Sequence, residues 1–186
     1  MVLLASKWVS VHQDRSISFE RLFVAEYGRV VAIAQRVLGS SDNHEAEDVA
    51  QEVFCAFYRQ HSPDAPYAAP WLHRAAAHTA LNTIRGKKRR RQREQAEAIG
   101  NDRLQVAAAI SFDPQRAVEQ AERRREVRTA MAKLSEKSAA VLAMRYSGLS
   151  YAEIAAALDV KTGQIGTLLR RAEEALRKEL SHDTSL

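Results

Sequence analysis

Seven cations stand in the nine positions from Arg85 to Arg93: Arg85, Lys87, Lys88, Arg89, Arg90, Arg91 and Arg93. Charges packed this densely repel one another, and a polyanion relieves that repulsion. The run also divides the chain. Residues 1–84 carry 7 basic and 9 acidic groups, residues 94–121 balance at −3, and residues 122–186 carry 12 basic against 9 acidic. Two folded pieces joined at a basic hinge is the economical organisation. The segment from Gln95 to Pro114 lacks a sustained apolar stripe and holds Gly100, Asn101 and Pro114 as helix breakers, so the linker belongs there.

With 186 residues, 46% of them apolar and 27% charged, the chain suits one or two small packed domains and excludes a large catalytic barrel. No stretch approaches the ~18 to 20 apolar residues of a membrane-spanning helix, and the first five residues are too short for a signal peptide, so membrane insertion is not expected and the cytoplasm is the expected compartment. Cys55 is the single cysteine and the six histidines are scattered, which leaves no disulfide or cysteine-rich metal cage. None of the seven glycines forms a phosphate-cradling pattern. The expectation is therefore a binding protein with no cofactor, no metal and no catalytic residues.

In the first piece, Phe19, Leu22, Phe23, Val30, Ile33, Ala34, Val37 and Leu38 recur at helical spacing before Gly39, which can stop the helix. Asp42 and Glu45 have the spacing of a capping box, and the helix they open should bury Ala46, Val49, Ala50, Val53, Phe54 and Phe57. Its other face shows Glu45, Asp48, Gln51, Glu52, Cys55 and Arg59. That stripe suits a basic helical partner, although pattern alone favours an ordinary solvated surface. Pro63, Pro66 and Pro70 forbid a continuous helix from Gln60 to Trp71. Pro70 then suits the first turn of a third helix, on which Trp71, Arg74, His78, Asn82 and Arg85 share one face. A ring, cations and hydrogen-bonding side chains on one face suit single-stranded DNA, with Lys88, Arg89 and the rest of the run tracking phosphate; Trp71 is equally suited to anchoring the core.

In the second piece, residues 116–133 and 136–147 have helical period, with Val118, Val127, Met131 and Leu134, then Ala140, Val141, Met144 and Tyr146, as apolar candidates. Ser150 and Glu153 form a capping-box pattern ahead of a short helix with Ile154, Ala155 and Leu158 inward. Asp159 tolerates the left-handed turn that must follow, Val160 fills the angle, and Ile165 and Leu168 hold the next helix against the first. This is the spacing of a helix-turn-helix. Its second helix offers Lys161, Thr162, Gln164 and Thr167 to base edges and Arg170 and Arg171 to phosphate, Gln164 being the side chain that can pair with both edge groups of adenine.

Ala46-Glu47-Asp48-Val49-Ala50-Gln51-Glu52-Val53-Phe54, Trp71-Leu72-His73-Arg74 and Gly148-Leu149-Ser150-Tyr151-Ala152-Glu153-Ile154-Ala155, in that order, resemble the motifs of bacterial sigma factors of the extracytoplasmic-function (ECF) group. The resemblance spans nearly the whole chain. It implies an all-α fold of two small helical domains, a region 2 bundle and a region 4 helix-turn-helix, joined by a flexible linker. The corresponding division is 1–17 as an N-terminal extension, 18–93 as region 2, 94–115 as linker, 116–181 as region 4 and 182–186 as a tail.

The resemblance further implies core RNA polymerase as partner, with Asp48, Gln51 and Glu52 on the clamp helices of its largest subunit and region 4 meeting the flap. It assigns the proline loop and third helix to unpaired bases of the minus-ten promoter element, and region 4 to the minus-thirty-five element. An anti-sigma factor that occludes both modules is a further expectation of the family. His78 stands where the family usually has asparagine, Asn82 where it has aspartate, and Gly166 and Leu168 where lysine and arginine are common. The rival function is a helix-turn-helix regulator that never joins polymerase. A recombinase or nuclease ranks last, since Asp48 and Glu52 lack further converging ligands.

Overall fold

The computed structural model describes residues 2–39, 43–97 and 114–183, with side chains over 14–39, 43–93 and 118–181. Every regular element among the described residues is helical. The first lobe consists of α1 (Val2–Leu38), α2 (Asn43–Gln60) and α3 (Ala68–Glu97); the second consists of α4 (Pro114–Lys133), α5 (Glu136–Tyr146), α6 (Tyr151–Leu158), a 3-10 turn (Thr162–Gln164) and α7 (Ile165–Asp183).

The apolar spacing of α2 closes the first lobe. Ala46, Val49, Ala50, Val53, Phe54 and Phe57 are all buried, against Val30, Ile33, Ala34 and Val37 of α1 and Leu72, Ala76, Ala80 and Leu81 of α3. An aromatic cluster continues this core toward the N-terminal end of α1. The rings of Phe19 and Tyr58 meet edge to face at 4.7 Å, and those of Phe23 and Phe54 lie 4.8 Å apart. Gly39 ends α1 at φ +58°, its N–H donating to the Gln35 carbonyl at 2.8 Å. The left-handed conformation favours glycine there, and a Cβ would also press on the Arg124 carbonyl oxygen at 3.2 Å.

Asp42 of the expected capping box lies outside the described residues, and Glu45 pairs with Lys87 Nζ at 2.6 Å. The basic run is not a break between elements. It forms the last turns of α3, which continues to Glu97, and Pro114 opens α4 as its first residue. An N1 proline lacks only an N–H that would have had no helical partner. Residues 98–113, the middle of the expected linker, lie outside the described residues.

In the second lobe Ser135 caps α5, its hydroxyl accepting from Ser138 N–H at 3.1 Å. Six consecutive residues of α5, Ala139 to Met144, are buried. Six residues in a row pass all the way round a helix, so α5 must be covered on every side. The covering comes from both lobes: α6 and α7 on one side, α1 and α3 on the other. Polar contacts reinforce the junction. Arg85 on α3 donates from Nε to the Ala132 carbonyl at 3.2 Å and from Nη2 to the Leu134 carbonyl at 2.6 Å, and Arg128 on α4 donates to the Leu38 carbonyl at the end of α1. Each lobe thus supplies an arginine to the free carbonyls ending a helix of the other. Arg29 pairs with Glu153 at 2.7 Å, and His78 Nε2 lies 3.4 Å from Glu136.

Three apolar candidates are not in the core. Val118 is 52% exposed, Tyr146 56% and Val127 36%, whereas Met131 and Leu134 beside them are buried. Periodicity identifies which residues share a face; it does not say whether a neighbour covers that face along its whole length. The Tyr146 hydroxyl donates to Glu173 at 3.1 Å, and this hydrogen bond to a carboxylate raises its pKa above the ordinary tyrosine value.

Candidate polymerase-docking and nucleic-acid surfaces

Three exposed patches collect the chemistry. The first lies on α2 opposite its buried stripe. Asp48, Gln51 and Glu52 are exposed, as are Cys55 and Arg59 one and two turns further on. Lys87 holds Glu45 at the head of the stripe, while no described residue bonds to Asp48, Gln51 or Glu52. The patch is therefore two carboxylates and an amide available to a partner.

The second patch is built by the proline loop and the start of α3. His61 N–H closes the end of α2 on the Phe57 carbonyl at 2.8 Å, and Trp71 N–H bonds the Tyr67 carbonyl at 2.9 Å, which shapes the intervening loop. The rings then gather. His61 lies 4.7 Å from Trp71 and 5.3 Å from Phe57, and Tyr67 stands edge-on to His61 at 5.8 Å. Trp71 is half-buried against the core, 5.4 Å from Phe57, so it anchors the core while part of its ring stays open to solvent. Tyr67 is 49% exposed. His61 and Tyr67 escaped the sequence reading because they lie in a segment without helical period. The signal available was two rings flanking Pro63 and Pro66.

Along α3, Arg74, Asn82, Lys88 and Arg89 are exposed, and Asn82 Nδ2 approaches the His78 ring at 3.3 Å. His78 faces Glu136, and Arg85 is committed to the carbonyls ending α4. The nominated face is thus continuous from Trp71 to Arg74 and shared with the second lobe from His78 to Arg85. His73, inside the Trp71-Leu72-His73-Arg74 motif, points the other way. It is 2% exposed, with Nε2 2.8 Å from Glu26 of α1, and its Nδ1 has no partner among the described residues.

The third patch is the helix-turn-helix. Ser150 donates from its N–H and hydroxyl to Glu153 Oε2 at 2.8 and 2.7 Å, and Glu153 N–H returns a bond to Ser150 Oγ at 3.3 Å. These bonds from Ser150, helped by Arg29, hold the Glu153 carboxyl below the usual carboxylate range. Asp159 ends α6 in the left-handed conformation, φ 52°, ψ 56°. Lys161, Thr162, Gln164, Thr167, Arg170 and Arg171 are all exposed along the turn and the first half of α7. The Gln164 Oε1 accepts from Lys161 N–H at 3.2 Å, so its amide nitrogen is free while its oxygen serves the turn. That oxygen keeps a second lone pair, so the side chain can still offer an acceptor as well as its free amide nitrogen to the two edge groups of adenine.

A cleft of about 550 Å³ beside this patch is lined by Arg145, Tyr151, Gly166 and Arg170 among others, the Arg145 guanidinium lying 5.6 Å above the Tyr151 ring. Arg145 and Tyr151 are further candidates that sequence spacing did not select, since they belong to α5 and α6 rather than to the second helix of the motif.

The model for sigma-70 region 2 matches residues 22–90, and that for sigma-70 region 4 matches residues 124–176. The ECF RNA polymerase sigma factor SigW of Bacillus subtilis (strain 168) is 33% identical over 158 residues, covering 82% of this chain and 83% of that protein. The ECF RNA polymerase sigma factor SigE of Mycolicibacterium smegmatis is 31% identical over 170 residues, covering 90% of this chain and 63% of the relative. The ECF RNA polymerase sigma-E factor of Escherichia coli (strain K12) is 29% identical over 165 residues, covering 86% and 84%. In fold, the chain is similar to CnrH in its complex with the cytosolic domain of CnrY, with a TM-score of 0.50 at 21% identity over 89% of this chain and 88% of that one. Both sigma regions in order, on a two-lobed helical frame, make the chain a member of the ECF RNA polymerase sigma factors, which direct RNA polymerase to promoters.

Proposed function

We propose that the chain docks on the clamp helices of core RNA polymerase through Asp48, Gln51 and Glu52. The observation that supports this most is the contrast along α2: these side chains stand exposed and uncommitted to any described residue, whereas Glu45 on the same face is held by Lys87. Reversing both charges, Asp48→Lys with Glu52→Lys, is expected to weaken capture of core polymerase at least about tenfold. Unfolding should be unaltered, because exposed substitutions away from special contacts usually stay within about 0.5 kcal/mol. Undiminished capture contradicts the assignment.

The loop at His61 to Tyr67 and the face Trp71, Arg74, His78, Asn82 and Arg85, with Lys88 and Arg89, engage the opened minus-ten element: rings stack unpaired bases and cations follow the strand. Lys161, Thr162, Gln164, Thr167, Arg170 and Arg171 engage the minus-thirty-five element in duplex form, with Arg145 and Tyr151 bordering the same cleft on the phosphate side. Region 4 also meets the polymerase flap. We take residues 18–93 and 116–181 as the two functional domains, 1–17 as an extension, 94–115 as the linker and 182–186 as a tail.

The work is done by binding alone, with no covalent step, in the cytoplasm where polymerase and promoter are found; no helix among the described residues is long and apolar enough to cross a membrane. A regulator that never joins polymerase is disfavoured, because the region 2 match covers the module such a regulator would use otherwise. An anti-sigma factor is the further partner we propose; CnrH, a structural neighbour, was itself solved with the cytosolic domain of CnrY.

A further inference from the structure

Helix α2 ends without glycine: Gln60 is its last residue, His61, Ser62 and Pro63 follow, and none of the four supplies the usual left-handed cap. The last carbonyls of a helix still need donors. The Phe57 carbonyl receives His61 N–H. The Tyr58 carbonyl, and that of His61 just beyond the helix, receive the Nη2 group of Arg15, at 3.3 Å for His61. Arg15 lies more than forty residues earlier, in the N-terminal part of α1 and outside the region 2 match, which starts at residue 22. Its guanidinium also rests over the Tyr58 ring at 4.9 Å.

The residue it grips is the first of the proline loop. His61 carries the ring that fills the space between Phe57, Trp71 and exposed Tyr67. A cation bonded to the His61 carbonyl therefore fixes where that ring cluster begins, and does so at a helix C-terminus, where positive charge is favoured.

We propose that Arg15 is a positioning residue for promoter opening: it ties the start of the proline loop to α1 and so presets the His61–Tyr67–Trp71 cluster for an unpaired base. This rests on the reading above that the loop and α3 hold the opened minus-ten strand. Arg15 need not touch DNA.

The test uses holoenzyme assembled from core polymerase and the full chain, on a promoter fragment from which it initiates, with 2-aminopurine in the non-template minus-ten strand. Arg15→Ala is expected to lower the opening equilibrium about five- to tenfold, while capture of core polymerase and binding of a minus-thirty-five duplex stay at the parental level. Arg15→Lys keeps the charge but not the planar fork and should recover only part of the loss. Should Arg15→Ala fold poorly, the lysine variant carries the test alone, by a partial loss of opening at full polymerase capture.

Tyr67→Ala, made in parallel, separates the two layers. Opening lowered by Tyr67→Ala and untouched by both Arg15 variants overturns the positioning role and leaves the loop's function standing. Opening untouched by Tyr67→Ala and by Arg15→Ala overturns the loop's function and the proposal with it. Polymerase capture lost in parallel with opening on replacing Arg15 assigns it to general folding and also overturns the proposal.

Discussion

The buried pair of His73 and Glu26 stitches α3 to α1 inside the first lobe. At 2% and 13% exposure the two side chains are nearly dry, and the 2.8 Å bond between them keeps both from being stranded. Glu26→Ala removes that bond and leaves His73 with neither nitrogen bonded to a described residue. The expected cost is about 1 to 3 kcal/mol in urea unfolding. His73 was legible only as part of a motif; its partner lies 47 positions away, beyond any spacing rule.

Glu153 carries a pH signature. Its folded pKa is depressed by Ser150 and then Arg29, so the stability it contributes is present above the ordinary glutamate range and is lost as pH falls through the lower folded value. Unfolding free energy of Glu153→Gln should therefore fall below the parental value near neutrality, and the two curves should converge in acid. Parallel curves down to low pH contradict that linkage.

At the scale of elements, the six buried residues of α2 were legible because its spacing is strict and its neighbours cover the whole face. The helix-turn-helix was legible for a different reason: local chemistry sets it. Ser150 and Glu153 make their reciprocal cap and Asp159 takes the left-handed turn, all within ten residues. An L-residue in that conformation carries a steric cost that glycine lacks. Asp159→Gly should raise stability by up to about 1 kcal/mol, and Asp159→Val should lower it, both read from thermal melts.

Helix α4 was less legible. Residues 123–125 are three arginines, and Val118 and Val127 share its period with Met131 without sharing its cover. The reach of α3 forward to Glu97, through the basic run, likewise left no apolar trace to follow.

The whole molecule depends on contacts that no local pattern contains. The apolar core is continuous from Val30 to Ala172, through α5, which both lobes enclose. In this arrangement Asp48, Gln51 and Glu52 on α2 stay exposed while Arg85 and His78 are engaged by the second lobe. Under the assignments proposed above, docking on polymerase can therefore precede lobe separation, whereas strand capture by Arg85 requires it. With spin labels at Glu20→Cys and Lys178→Cys in a Cys55→Ser background, the free chain should give one narrow distance, which lengthens on addition of core polymerase and promoter. Arg85→Ala should broaden the distribution in the free chain. A distance unchanged by polymerase and promoter contradicts a closed-to-open transition.

The division of labour between the lobes is tested most directly by transcription from purified core polymerase and a genomic fragment library. Added full chain should produce discrete start sites that are absent with core enzyme alone. They should be lost with Asp48→Lys and Glu52→Lys through failed assembly, and with Arg171→Ala through failed promoter selection by an assembled enzyme. Start sites that do not depend on the chain, or that survive both sets of substitutions, contradict it.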